Sequence, residues 1–303
     1  LLVHFFPSTW SSLVSDICQT GLDIGFASLS YAQIAFLGVV QGITELLPIS
    51  STAHMRVVPA LLGWRDPGSA FSAAMQMAAL AAVISYFWRD VSGVTRGSLA
   101  AVRQRNFDSP DFLLAVMIVL ATIPICIAGL LLAPLLNACG SPLRGLSVIG
   151  YACLAMAALL ALAERICRHN RDISQMRLRD ALIVGIAQVG ALIPGVSRSG
   201  STLTAAMFLN LRREEAARFS FLLGLPAIAL AGLKELVVLW HAHIPAEAWS
   251  LLLVGLLVAS LSAFAAIWGL MRFLERFSTW PFIIYRALLG IFLLVGVHQG
   301  LFA

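Results

Sequence analysis

The sequence predicts an all-α polytopic membrane protein: an inverted-topology repeat of about six spanning helices plus two re-entrant helix hairpins. Three observations predict it. Of 303 residues, 60% are hydrophobic and only 12% charged, whereas a soluble domain has roughly a quarter of its residues charged. Several uninterrupted apolar runs reach about 18 to 25 residues, the length that crosses a bilayer. Two further apolar segments, 31–63 and 181–211, are broken at their centres by proline and hydroxyl clusters. The apolar runs do not alternate in polarity, which argues against a β-barrel.

In chain order, residues 1–30 read as an N-terminal extension. They lack a basic n-region, so no cleavable signal peptide is read there. Spans are expected at approximately 71–88, 112–136, 146–162, 219–240, 249–270 and 282–302. Arg89, Arg96, Arg103 and Arg105 mark one cytoplasmic loop, and Arg165, Arg168, Arg171, Arg177 and Arg179 a second. Arg212, Arg213 and Arg218 mark a third, and Arg272 with Arg276 a fourth. The opposite connections hold only Arg65 and Arg144, and fourteen basic residues against two fix the orientation. The net charge of +5 therefore reads as membrane anchoring, with no nucleic-acid partner. The five cysteines, Cys18, Cys126, Cys139, Cys153 and Cys167, form no C-x-x-C pair, and no disulfide or metal site is read from them. His4, His169, His241, His243 and His298 show no ligand spacing.

The halves of the chain are related. "LGVVQGITELLPISST" (37–52) resembles "VGIAQVGALIPGVSRS" (184–199): Gly38 matches Gly185, Gln41 matches Gln188, and Pro48 matches Pro194 with one residue of slippage. Phe71-Ser72 then matches Phe219-Ser220. Consistent offsets of this kind indicate an internal repeat. The first repeat covers 31–162, a hairpin at 31–63 plus three spans. A basic cytoplasmic connector follows at 163–180, and the second repeat covers 181–303, a hairpin at 181–211 plus three spans. An odd number of crossings between the hairpins inverts them, and folds of this kind place their site near the midplane where broken helices meet.

The polar residues of the two hairpins carry the chemistry. Each half-hairpin, about 13 to 18 residues long, is short for a crossing and reads as re-entrant. Gln41 and Glu45 lie four apart, on one face of a helix ending at Pro48. Ser51 and His54 share a face at i, i+3 if a helix begins near Ser50, and Ser50, Ser51 and Thr52 suit an N-cap that attracts anions. Ionisable groups at mid-bilayer cost about 2.5 to 3.5 kcal/mol, so Glu45 and His54 mark function. Arg56 is left open between function and snorkelling to the interface. In the second hairpin, "PGVSRSGST" (194–202) sets Arg198 among Ser197, Ser199, Gly200, Ser201 and Thr202, a set suited to a phosphate. The same stretch lacks the lysine and the preceding strand of a nucleotide-binding P-loop. Gln76, five residues into a span, is left open between facing the site and a satisfied buried amide. Lys234-Glu235, in another apolar run, is left open between pairing with neighbours and lying near the outer interface. Trp64, Trp88, Trp240, Trp249 and Trp280 read as interfacial anchors.

Gln41 to His54 and Pro194 to Thr202 together resemble the two motifs of the bacterial undecaprenyl pyrophosphate phosphatase (bacitracin resistance protein) family, over most of the chain from about residue 31. The resemblance implies a metal-dependent phosphatase of the inner membrane, acting on a polyprenyl diphosphate with its site facing the periplasm. It implies Mg²⁺ or Ca²⁺, with Glu45 as the metal-binding or acid/base carboxylate and Gln41 as its partner, and Ser51 as nucleophile or phosphate-positioning hydroxyl. His54 would be general base or alternative nucleophile, and Arg198 a phosphate clamp. Ser50, Thr52, Gln76, Ser197, Ser199, Gly200 and Thr202 would bind substrate. Gln41 stands where many members carry Glu, leaving one negative charge fewer for a cation. The expected partners are the lipid substrate and the bilayer, with a homo-oligomer left open. The alternative is a lipid-phosphate transporter or flippase using the same cavity, and a Ser51–His54 pair beside Glu45 argues for the enzyme.

Overall fold

The computed structural model of the chain describes residues 24–136, 145–242 and 244–301. Most of the expected N-terminal extension, the connection at 137–144, His4, Cys18, Cys139, Arg144 and His243 lie outside the described residues. Among those described there are twelve α-helices and no strand.

The first hairpin is α1 (Tyr31–Leu46) and α2 (Ser51–Leu61). α1 begins at a reciprocal cap in which Ser30 Oγ accepts from Gln33 N–H and Ser30 N–H donates to Gln33 Oε1. It stops at Pro48, which has no N–H to continue the ladder. α3 (Ser69–Ala74) and α4 (Gln76–Tyr86) make the first span. α5 (Trp88–Gln104) leaves that span at an angle of 79°. The sequence assigned the Arg89–Arg105 stretch to a loop, and the structure makes most of it helical instead. Apolar residues at helical spacing, with Ala101 buried and Arg89, Arg96 and Arg103 exposed, give it an amphipathic face. α6 (Pro110–Leu136) and α7 (Leu146–Ile166) complete the first half.

The second half begins with the hairpin α8 (Leu178–Val189) and α9 (Arg198–Phe208), followed by α10 (Arg213–His241), α11 (Ala246–Arg276) and α12 (Trp280–His298). Among the described residues five helices are long and apolar enough to cross a membrane, six if Ala70–Tyr86 and its bent continuation are counted as one span. α10 and α11 overrun the expected windows at their arginine-rich ends. Hydropathy marks where the hydrocarbon ends, whereas the helices continue into water, with Glu214 and Glu215 in a first turn and Arg276 in a last turn suiting the helix dipole.

The halves exchange partners. α1 lies along α11, and its repeat mate α8 lies along α6. α7 packs on its own mate, α12. Small residues permit these approaches. A Cβ on Gly38 would stand 2.9 Å from the Gly255 carbonyl oxygen, and one on Gly185, its mate, 2.2 Å from that of Ala121. The matched glycines thus do one job in each half. Three spans separate the hairpins, so they enter from opposite faces. On the arginine-rich face, Arg171 holds Asp180 at 2.7 Å, Arg212 holds Asp172 at 2.8 Å and Arg213 grips Glu164 through two nitrogens. Arg218 joins Asp90 to this network.

Gly42 is the tightest approach of α1 to α11. An added methyl would stand 2.1 Å from Ser262 Oγ and 2.4 Å from the Ala259 carbonyl oxygen. Gly42→Ala is expected to destabilise the protein by about 1–3 kcal/mol through overpacking. The check is a lowered thermal unfolding midpoint in detergent, with Gly93→Ala, at a position with open space around it, as the control.

Candidate active site

Two elbows meet inside the molecule, one from each hairpin. In the first, Pro48 ends the helical ladder and Ser50 turns the chain with φ 74°. In the second, Gly195 (φ 97°) and Ser197 (φ 65°) do the same. Ser50 and Ser197 are both N-caps of the second helix of their hairpin. Positive φ in a residue with a Cβ is strained, so each elbow must be held in place by its surroundings.

Glu45 is the point of convergence. Gln41, one turn earlier on α1, donates from Nε2 to Glu45 Oε2 at 3.0 Å. Ser51 Oγ donates to the same oxygen at 2.6 Å. Arg198, at the start of α9, donates from Nη2 to Oε1 at 3.2 Å. A carboxylate and a guanidinium, both largely buried, thus neutralise each other across the two hairpins, and two neutral donors complete the carboxylate's shell. Arg198 lies so close to α10 that a Cβ on Gly224 would stand 2.1 Å from Arg198 Nη1.

Beside this cluster is a cavity of about 200 Å³. Its walls include Gln41, Glu45, Ser51 and Thr52, then Arg56, Asp66, Ser72 and Gln76. Of the expected residues, Gln41, Glu45, Ser51, Thr52 and Gln76 face it. Arg56, Asp66 and Ser72 join them. On α2 the cavity face is Ser51, Thr52, Met55 and Arg56, and His54 turns the other way.

His54 Nδ1 lies 2.7 Å from the Ser50 carbonyl oxygen, so it carries the proton and donates. Nε2 then accepts from the Tyr285 hydroxyl at 2.6 Å. The direct Ser51–His54 pairing read from their spacing is therefore absent, since both ring nitrogens are committed elsewhere and Ser51 donates to Glu45. The helix does begin at Ser51, but the two side chains diverge: the elbow's turn brings Ser51 under the carboxylate, and His54 faces Tyr285.

The second-hairpin hydroxyls are fasteners. Ser199 Oγ donates toward the carbonyls of Glu45 and Leu47, each 3.3 Å away. Ser197 Oγ accepts from Gly200 N–H at 3.2 Å. Thr202 donates to the Arg198 carbonyl at 2.8 Å and is paired with Ser220. Gly200 leaves room for Arg286, whose Nη1 would stand 2.7 Å from an added Cβ. Ser50 is buried, and its hydroxyl has no protein partner.

Arg286 and Tyr285 of α12 were missed by the sequence reading. Arg286 is 1% exposed. It donates from Nη1 to the Pro48 carbonyl at 3.1 Å, and from Nη2 to the carbonyls of Gly195 (2.6 Å) and Val196. One guanidinium therefore ties both elbows together. The signal was available: a lone arginine seven residues into the α12 helix is costly in hydrocarbon and marks a buried polar partner.

Arg286→Lys leaves one ammonium where a planar fork served three carbonyls on two elbows. Loss of charged hydrogen bonds of this kind costs about 1.5–3 kcal/mol each. The expected outcome is a lowered unfolding midpoint in detergent for Arg286→Lys, and a larger fall for Arg286→Ala.

Residues 34–292 match the family described as Bacitracin resistance protein BacA. Undecaprenyl-diphosphatase 2 of Mesorhizobium japonicum is 70% identical over 261 residues, which cover 86% of this chain and 99% of that protein. The undecaprenyl-diphosphatase of Synechocystis sp. is 47% identical over 289 residues, 95% of this chain and 89% of its own length. That of Synechococcus elongatus is 48% identical over 269 residues, with 88% and 93% covered. With a family match across nearly all the described helices, and both elbow motifs inside it, the chain belongs to the bacitracin resistance protein BacA family.

Proposed function

We propose that the chain hydrolyses undecaprenyl diphosphate to the monophosphate and inorganic phosphate, recycling the lipid carrier of cell-wall synthesis and conferring bacitracin resistance. The observation that carries this reading is the Ser51 hydroxyl aimed at Glu45 within a polar cavity at the meeting of two elbows. The relatives bear the name of a diphosphatase, and the transporter alternative has no support among them.

The site residues divide the work. Ser51 Oγ attacks the terminal phosphorus and its proton passes to Glu45 Oε2. The bond from that phosphorus to the bridging oxygen breaks, and the electron pair stays on the lipid monophosphate. Water then displaces Ser51 from phosphorus, releasing inorganic phosphate and restoring the hydroxyl. Arg198 balances the charge of Glu45 and stabilises the transferring phosphoryl group. His54, locked between Ser50 and Tyr285, positions the first elbow. Gln76 and Thr52 contribute donors along the cavity wall.

The residues present fit a divalent cation, Mg²⁺ or Ca²⁺. Gln41 Oε1 is buried without a hydrogen-bond partner, beside a carboxylate and on the cavity wall. Gln41 and Glu45 would hold the ion, which when bound supplies further neutralisation of the diphosphate. Among the described residues no group of three or more His, Cys, Asp and Glu converges, so substrate oxygens would fill much of the ion's shell. The excess of arginine on one face supports a multi-pass protein of the inner membrane whose first hairpin opens to the periplasm.

Phosphate release from farnesyl diphosphate by purified protein tests the reading. Ser51→Ala is expected to lower kcat about a thousandfold with its unfolding midpoint retained. Glu45→Gln is expected to lower kcat about a hundredfold or more, with a lower midpoint because it leaves Arg198 buried without its partner charge. Chelation with EDTA is expected to stop the wild type, and Gln41→Glu to lower the cation concentration needed. Full turnover by Ser51→Ala would remove its assigned role.

Gly224→Ala offers an independent check on Arg198. The clash falls on the flexible end of a side chain, so stability is expected to stay within about 1 kcal/mol. The guanidinium must shift, and a misplacement near 1 Å can cost about a hundredfold in kcat.

A further inference from the structure

Arg56 and Asp66 form an ion pair at 2.8 Å on the wall of the catalytic cavity, and nothing in the mechanism above uses them. Their settings differ. Asp66 is fixed: its Oδ1 accepts from Gly68 N–H at 2.8 Å, and the neighbouring Pro67 carbonyl accepts from Phe26 N–H at 2.8 Å. Its own carbonyl sits so close to Gly25 that a Cβ there would stand 2.1 Å away. Arg56 is a long side chain on α2, joined to that rigid loop only through its guanidinium.

The geometry points to Arg56 as the ligand of the lipid-side phosphate, held on Asp66 while the site is empty and transferred to the diphosphate when substrate enters. This assignment rests on the phosphatase reading and deepens it. Ser51, Thr52 and Arg56 face one cavity, and Arg56 lies about 7.5 Å along α2 from Ser51. Helical side chains lean toward the N-terminus, which brings the guanidinium back toward Ser51. With the terminal phosphorus at Ser51, the next phosphate falls within reach of Arg56.

Charge supports the exchange. Glu45, Arg198, Arg56 and Asp66 sum to zero, whereas a diphosphate monoester brings about two to three negative charges that cannot be buried uncompensated. Arg198 is shared between Glu45 and the terminal phosphoryl group, which leaves the lipid-side phosphate in need of a cation. The Arg56–Asp66 pair is the exposed one, with side chains 37% and 43% accessible, and an ion pair in water is weak. A bidentate guanidinium–phosphate contact is stronger, and Asp66 can be rehydrated when Arg56 leaves it. When the terminal P–O bond breaks, its electron pair goes to the bridging oxygen of the lipid monophosphate, where Arg56 neutralises it. Asp66 then recaptures the guanidinium and speeds product release. A lipid monophosphate keeps the phosphate that Arg56 binds and lacks the one at Ser51, so Asp66 competes for Arg56 with product as well as with substrate.

Steady-state kinetics on farnesyl diphosphate by the purified full chain test this. Arg56→Ala is expected to raise KM about tenfold or more and lower kcat, with Arg56→Lys intermediate. Asp66→Asn is expected to lower KM and strengthen inhibition by farnesyl monophosphate. A purely structural ion pair predicts the opposite pattern: both variants would lose stability and activity together. Unchanged KM in Arg56→Ala, or KM moving the same way in both variants, would overturn the assignment. Should the wild type release no phosphate, the phosphatase reading fails, and thermal protection by inorganic diphosphate still decides Arg56. Protection lost in Arg56→Lys and Arg56→Ala supports the contact, and equal protection in all three removes it.

Discussion

A chain that turns around inside hydrocarbon leaves backbone groups without partners, and the rest of this structure depends on how they are satisfied. Water is not there to serve them, and each orphan costs several kcal/mol (about 2–7 by transfer scales). Arg286 answers for Pro48, Gly195 and Val196, and Ser199 for Glu45 and Leu47. Those donors bridge the two elbows, so the groups that make a re-entrant turn tolerable also bring the hairpins into register. The contact of Glu45 with Ser51 and Arg198 is a consequence of that register.

The repeat explains why the elbows are alike and why their chemistry differs. Gly38 and Gly185 both allow a helix to lie against a span of the other half. Ser50 and Ser197 both take positive φ at the start of a helix. With the chain shifted by about half its length, Glu45 falls on Leu192 and Ser51 on Arg198. One hairpin kept the acid and hydroxyl, the other the guanidinium, and the two opposite charges meet. Gln188, mate of Gln41, is fully buried with neither amide atom partnered by protein. Leu192 stands where Glu45 stands in the first half, so the amide has no acid beside it on its helix face.

Spacing made the hairpins, the spans and the Gln41–Glu45–Arg198 axis legible, because Pro breaks and charges in apolar runs have few structural explanations. The direction of His54 was not legible. An i, i+3 relation says which residues share a helix face and nothing about what the face meets, and α12 lies two hundred residues away in sequence. Arg286 was hidden by its run: counted inside a span, it received none of the scrutiny given to Glu45, though the same desolvation argument applies. Arg56 was left open because snorkelling and binding predict the same residue at the same depth, and only Asp66 across the cavity separates them. α5 read as a loop because its low mean hydropathy and its arginines were weighed, and the apolar stripe at helical spacing was not.

The burial pattern of the ion pairs then orders the site by function. A buried pair such as Glu45–Arg198 adds little net stability, since desolvation offsets the attraction, but losing one partner is expensive. It is therefore suited to fixing geometry: neither group can wander without stranding the other. An exposed pair such as Arg56–Asp66 has no such grip, because water replaces either partner at small cost. The site thus carries a rigid charge couple beside Ser51 and an exchangeable one along the cavity wall. On the proposed reading, rigid positioning would serve the reaction step and exchange would serve entry and release, and the difference follows from how much water each guanidinium retains.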